Sequence, residues 1–190
     1  GNLIVLGARP SVGKTAFALN LARNAAVQFG HGVGFFSLEM TNMELTDRLI
    51  ASESGISADK LKGKVKMNPE EWVVLEQSIK RLVKAPLYID ETPGITLTEF
   101  TAKAKRLVRE KGVKIIFVDY LQLMHSGKPQ QGGFSKVQEV TEISNTLKTT
   151  AKDLKVPIIA LAQLNRNLMS RAGSNGKPVL SDLKDSGSIE

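Results

Sequence analysis

The sequence of 190 residues contains no cysteine and two histidines, His31 and His125. The first absence excludes disulfide frameworks, thiol nucleophiles and cysteine metal sites, and two imidazoles cannot build a zinc site unaided. Any catalytic metal is therefore expected to be a hard cation held by oxygens. Long apolar runs are also missing. Leu3 to Leu6 and Ile115 to Val118 fall far short of the roughly 18 residues that a membrane span requires. With no visible signal or transit peptide, a cytoplasmic protein without membrane contact is expected. Aromatic residues are sparse at 5%, yet 42% apolar and 24% charged residues exclude a disordered or fibrous chain. Acidic charge is in deficit: 26 Lys and Arg against 19 Asp and Glu give a formal net charge of +7. That balance favours an anionic partner, whether nucleotide, nucleic acid or an acidic surface, without choosing among them.

What is present is an alternation of short apolar runs with longer helical periods, the pattern of βα units around a parallel sheet. Core strands are read at Asn2 to Gly7, Val33 to Ser37, Lys114 to Asp119 and Val156 to Gln163, with Leu87 to Asp90 as a fifth. Each is apolar enough to require helices over both faces, so a three-layer α/β domain is expected. Thr41 with Glu44 and Thr96 with Glu99 fit capping boxes, and Asn68-Pro69 fits an N-cap followed by Pro at the first helical position. Trp72, Leu75, Ile79 and Leu82 follow at helical spacing, which makes Trp72 a packing residue rather than a ligand platform. Gly112 closes the helix that carries Lys103, Lys105, Arg106 and Arg109. Ser126 to Gly133 and Arg166 to Pro178 lack periodicity and read as loops, either functional or plain connectors. The chain opens on a core strand and stops at Ser188-Ile189-Glu190 without a helix stop, as a piece of a longer protein would.

The stretch Gly7-Ala8-Arg9-Pro10-Ser11-Val12-Gly13-Lys14-Thr15 follows a strand and opens a helix over Thr15 to Gln28, the context of a P-loop. Its backbone N–H groups, from Ser11 and Gly13 to Ala16, would wrap phosphate. Lys14 would reach the β and γ phosphates, and the Thr15 hydroxyl would ligate Mg²⁺. The motif calls for Gly where this chain has Ala8, which is tolerable if φ there is negative. Ile115 to Asp119 is an apolar strand ending in an acid, and Asp119 would hold the Mg²⁺ through its waters. Glu39 lies just past the second strand, at the carboxyl edge where such sheets place ligands, and is the best candidate for the base that activates water. Gln163 ends the last core strand on the same edge, where an amide could sense the γ-phosphate.

Together GARPSVGKTAFALNLA, FFSLEM, IIFVDYLQLM, PIIALAQLNR and LSDLKDSGSIE resemble, in order and across the whole chain, the C-terminal motor domain of DnaB-type replicative DNA helicases, within the RecA-like ATPases. The resemblance implies a RecA-like P-loop fold with a mostly parallel sheet, with ATP and Mg²⁺ as ligands. It places the catalytic base on Glu39, the strand-end glutamine on Gln163 and a nucleotide-contacting arginine on Arg48. Substitution of Ala at position 8 is common in that family. The closing segment resembles the loop that grips single-stranded DNA near the pore of a hexameric ring, with Lys184, Asp185 and Gly187 at the matching positions. A Lys pairs with phosphate as a point charge, and backbone N–H groups can do so without reading bases. The loop around Lys128 is a second, weaker candidate. Primase and a helicase loader are implied as further partners. The arginine finger and its partner lysine, which enter a neighbouring subunit's site, are implied to lie downstream, so the isolated fragment is expected to be weakly active or inactive.

Three other readings compete. A recombinase or clock-type RecA-like ATPase shares the P-loop and Glu39 but not the LSDLKDSGSIE ending. A nucleotide-gated assembly module would bind ATP without motor activity. A small-molecule kinase would need an acceptor pocket, which Glu39 and Gln163 suit less well than water activation.

Overall fold

The computed structural model describes residues 1–127 and 136–164. Its centre is a five-stranded sheet of β1 (Leu3–Ala8), β2 (Gly32–Ser37), β3 (Leu87–Asp90), β4 (Val113–Asp119) and β5 (Ile158–Gln163), in the order β1-β5-β4-β2-β3. Every neighbouring pair is parallel. Parallel neighbours require crossovers, which the helices supply. These are α1 (Lys14–Arg23), α2 (Asn42–Ser54), the short α3 (Ala58–Leu61), α4 (Pro69–Lys84), α5 (Leu97–Lys111) and α6 (Lys136–Leu154). The strand predicted at Leu87 to Asp90 is present with those bounds, and the others match within one or two residues.

Successive strand side chains point to opposite faces, so the sheet divides its apolar residues between two cores. Phe35, Phe117 and Leu161 face α1 and α2, against Ala18, Leu19, Leu45 and Leu49. Phe36, Ile116, Val118, Ile158 and Ala160 face α5 and α6, against Phe100, Ala104, Ile143 and Leu147. Aromatic pairs reinforce each layer: the rings of Phe35 and Phe117 stack with centroids 5.7 Å apart. Phe36 meets Phe100 edge-on at 4.8 Å. Full burial of each such side chain contributes about 1.5–3 kcal/mol. The three layers inferred from the sequence are thus observed.

The helix signals are realised as side-chain caps. Thr41 with Glu44, Asn68 with Glu71, and Thr96 with Glu99 form reciprocal capping boxes on α2, α4 and α5. In each, the bonds that Glu accepts hold its carboxyl below the usual range: from the Thr41 and Thr96 backbones for Glu44 and Glu99, and first from Lys60 for Glu71. Gly112 ends α5 at φ 64°, a left-handed position that suits a residue without Cβ.

Three expectations need correction. The first helix does not run regularly to Gln28: α1 ends at Arg23 and a π-helical turn covers Asn24–Gln28. β1, with one neighbour among the described strands, leaves Ile4 50% exposed instead of burying both faces. Trp72 is 57% exposed and is not a packing residue. The buried face of α4 is centred on Leu75 and Ser78, and the 100° step per residue carries Trp72, Ile79 and Val83 onto its flank.

Beside the carboxyl end of β3, the Lys103 ammonium donates to Asp90 Oδ2 at 2.7 Å and to Thr92 Oγ1 at 2.5 Å. Burial tends to raise the Asp90 pKa, but the bonds from Lys103 and Thr92 outweigh it and hold the carboxyl below its ordinary value. A carboxyl with a depressed folded pKa stabilises the fold above its unfolded value, and that contribution is lost as pH falls through the folded value. Lys103→Met should therefore cost about 1 kcal/mol at neutral pH. In urea unfolding, the gap from the unmodified protein should narrow below about pH 4. A gap that is the same at pH 3 and pH 7 would assign the loss to packing.

Candidate active site

The parallel register brings four strand ends to one edge: Ser37 lies opposite Asp119, and Ala8 opposite Gln163. In doubly wound sheets this carboxyl edge is where ligands bind. A pocket of about 410 Å³ opens there, lined by residues 8–11 and 13–16 together with Glu39, Met40, Glu44, Arg48 and Gln163. A larger groove of about 690 Å³ along α5 and α6 is lined mainly by Thr, Asn and acidic side chains and has no basic residue to receive an anion.

The loop before α1 is built to present backbone amides. Ala8 is the last residue of β1, so no glycine is needed there. Ser11 and Gly13 have φ of 62° and 92°. Positive φ among turn residues curls successive N–H groups into an anion-binding nest. Unlike α2, α4 and α5, α1 has no side-chain cap and no acid in its first turn. The Gly13 carbonyl accepts from Phe17 N–H, which starts the helical ladder and leaves the N–H groups of Lys14, Thr15 and Ala16 without intrahelical acceptors. These orphan donors and the positive end of the helix dipole suit phosphate.

Behind the loop, Thr15 Oγ1 donates to Asp119 Oδ2 at 2.5 Å. Asp119 is fully buried and its Oδ1 accepts no hydrogen bond, although the Lys14 ammonium lies 3.4 Å away. Lys14 also sits 4.0 Å above the centroid of the Tyr120 ring. Burial lowers the Lys14 pKa, opposed by the charges of Asp119 and Glu39. Burial raises that of Tyr120, and the same two acids add to it. An unsatisfied carboxylate oxygen beside a hydroxyl is a hard-oxygen donor pair, and it fits Mg²⁺.

Glu39 is exposed on the bend after β2. Ser37 fixes that bend: its buried hydroxyl donates to the Met40 carbonyl at 2.6 Å and accepts from Met40 N–H at 3.3 Å. Leu38 N–H adds one more bond to the Asp119 carbonyl, at 2.7 Å. Arg48 from α2 and Gln163 from the end of β5 also line the pocket. The structure thus brings together Ser11, Gly13, Lys14, Thr15, Ala16, Glu39, Arg48, Asp119 and Gln163. Lys184, Asp185, Gly187 and the loop around Lys128 lie outside the described residues. Sequence reasoning missed Ser37, Tyr120 and Gln122. For Tyr120 and Gln122 the available signal was position alone, directly after the strand that ends in Asp119.

Comparison with known proteins gives the family. All of residues 1–190 match the family model of the DnaB-like helicase C terminal domain. The chain is 44% identical over 190 residues to the replicative DNA helicase DnaB of Geobacillus stearothermophilus, covering 100% of this chain and 40% of that protein. The replicative DNA helicase DnaC of Bacillus subtilis gives the same identity and coverage. The chain therefore spans about two fifths of the length of these relatives. Among solved structures, a DnaB-like replicative helicase described with its interactions with primase superposes with a TM-score of 0.87 at 34% identity. That match covers 98% of this chain and 44% of the other. A second solved structure, described as an ATPase domain, gives 0.86 at 35% identity, over 98% of this chain and 64% of the other. A RecA-like three-layer fold and a family match over every residue place this chain in the DnaB-like helicase C-terminal domain family.

Proposed function

We propose that this chain is the ATP-hydrolysing motor of a replicative DNA helicase, which couples hydrolysis at the P-loop pocket to movement of a hexameric ring along single-stranded DNA. The observation that carries the reading is the convergence at one sheet edge of orphan helix N–H groups, the Thr15–Asp119 pair, Glu39 and Gln163. Water activation needs a phosphate cradle, an oxygen site for a cation and a base within reach of the same space.

Each residue then has a role. The N–H groups from Gly13 to Ala16 bind the triphosphate, and Lys14 turns from Asp119 to its β and γ oxygens. Thr15 and Asp119 would hold Mg²⁺, which supplies positive charge to phosphate oxygens. Glu39 takes the proton of the attacking water, on a bend that Ser37 holds in place. Gln163 contacts the γ-phosphate or the water, and Arg48 contacts the nucleotide from α2. Lys184, Asp185 and Gly187 grip DNA phosphates, Asp185 through its backbone, because its carboxylate would repel them.

The partners in this reading are single-stranded DNA, identical subunits, primase and a helicase loader. Among the described residues no helix is long and apolar enough to cross a membrane. The arginine finger implied by the family resemblance is supplied in trans, so the test belongs to the full-length protein. With ATP and Mg²⁺ it should assemble as a hexamer, hydrolyse ATP faster when single-stranded DNA is added, and separate a forked duplex. Hydrolysis indifferent to DNA, together with failure to separate the fork, would replace the motor with a nucleotide-gated assembly module.

A further inference from the structure

The structure assigns to Gln122 the task of positioning Gln163, an inference that rests on the proposed role of Gln163 at the nucleotide. Along β5, Ile158 N–H donates to Asn2 and Leu164 N–H to Ala8, so even-numbered residues pair with β1. By the two-residue period of a strand, the N–H and C=O of Gln163 point the other way, toward β4. The β4–β5 ladder, however, ends at the pair Val118 and Ala160. Beyond it the chain leaves β4 and enters a single 3-10 turn, Leu121–Leu123.

Gln122 replaces the missing strand neighbour. Its Nε2 donates to the Gln163 carbonyl at 3.1 Å, and its Oε1 accepts from Gln163 N–H at 3.2 Å. A side-chain amide carries one donor and one acceptor face, so it can satisfy both backbone groups as a peptide would. The turn itself is anchored, since Leu121 and Met124 on either side of the glutamine are buried in the core at 1% and 0% exposure. One side chain therefore ties the turn that follows Asp119 to the backbone of a residue that lines the pocket. Loss of both bonds leaves the end of β5 held on the β1 side alone and lets the Gln163 amide drift. A displacement of about 1 Å at a reacting group can cost up to a hundredfold in rate. Gln122 is a positioning residue in this account, because it reaches the nucleotide only through Gln163.

A double-mutant cycle on the full-length helicase with single-stranded DNA tests this. Gln122→Ala should lower kcat for ATP hydrolysis about tenfold to a hundredfold, while KM stays within about threefold. In a Gln163→Ala background the same substitution should lower kcat no further, because the group it positions is already gone. Gln122→Glu has nearly the same shape and keeps the acceptor for Gln163 N–H but not the donor to its carbonyl. It should also slow hydrolysis in the native background alone, and it carries the test if the Ala variant does not fold. Losses that multiply in the double variant would make Gln122 a general stabilising residue and overturn the inference. Near-normal kcat in both Gln122 variants, beside a slow Gln163→Ala, would overturn it alone. If Gln163→Ala itself hydrolyses ATP at the unmodified rate, the role of Gln163 falls and this inference falls with it.

Discussion

Glu39→Gln in the full-length protein should bind Mg-ATP as the unmodified protein does and hydrolyse it about 10²–10⁴ times more slowly, the usual contribution of a positioned general base. Glu39 lies at the surface of the pocket, and the hydrogen bonds that shape its bend come from Ser37 and the backbone rather than from its own carboxylate. The amide keeps the shape and removes only the ability to accept a proton. Stability should therefore change by no more than about 0.5 kcal/mol, as for other surface substitutions. Nucleotide affinity measured by fluorescence and turnover measured by phosphate release separate the two effects. A turnover rate within about threefold of the unmodified protein would move the base to another residue.

Much of this site was readable before the fold was seen, because its signals are local. A strand, a Gly-Lys-Thr and a helix are contiguous in sequence, and the capping boxes at Thr41 and Thr96 need partners only three residues away. Ala8 was left conditional on a negative φ, and its place at the end of β1 meets that condition. The rest depends on distance. Gln122 and Gln163 are 41 residues apart, and nothing near either announces that one completes the other's ladder. Thr15 and Asp119, 104 residues apart, were expected at one Mg²⁺, but their direct hydrogen bond follows from the strand order, which apolar periodicity does not encode. Trp72 misled for a different reason. Helical spacing identifies a stripe, but the neighbours of α4 decide which side of the stripe is covered, and they cover the Leu75 side. Ser37 was hidden because a serine at a strand end has many uses, and only the 2.6 Å bond to Met40 selects one.

Lys14→Ala and Lys14→Met should each reduce Mg-ATP affinity or turnover by about 10² or more, the scale expected when one partner of a desolvated charge pair is truncated. The two variants should differ in stability. The Lys14 ammonium lies over the Tyr120 ring and beside buried Asp119, and the side chain is only 10% exposed, so its stem is buried while its charge is paired. Both substitutions leave Asp119 with Thr15 as its remaining side-chain partner, which destabilises the fold before any nucleotide is bound. Methionine retains an apolar stem of similar length in the same buried place and should recover part of that loss, whereas alanine opens a gap. The expected pattern is thus equal loss of function with an unfolding midpoint that is higher for Met than for Ala. Equal midpoints would mean that the Lys14 stem contributes nothing to packing. Unmodified binding and turnover in either variant would remove Lys14 from the phosphate site, and with it the P-loop reading of Ala8 to Thr15.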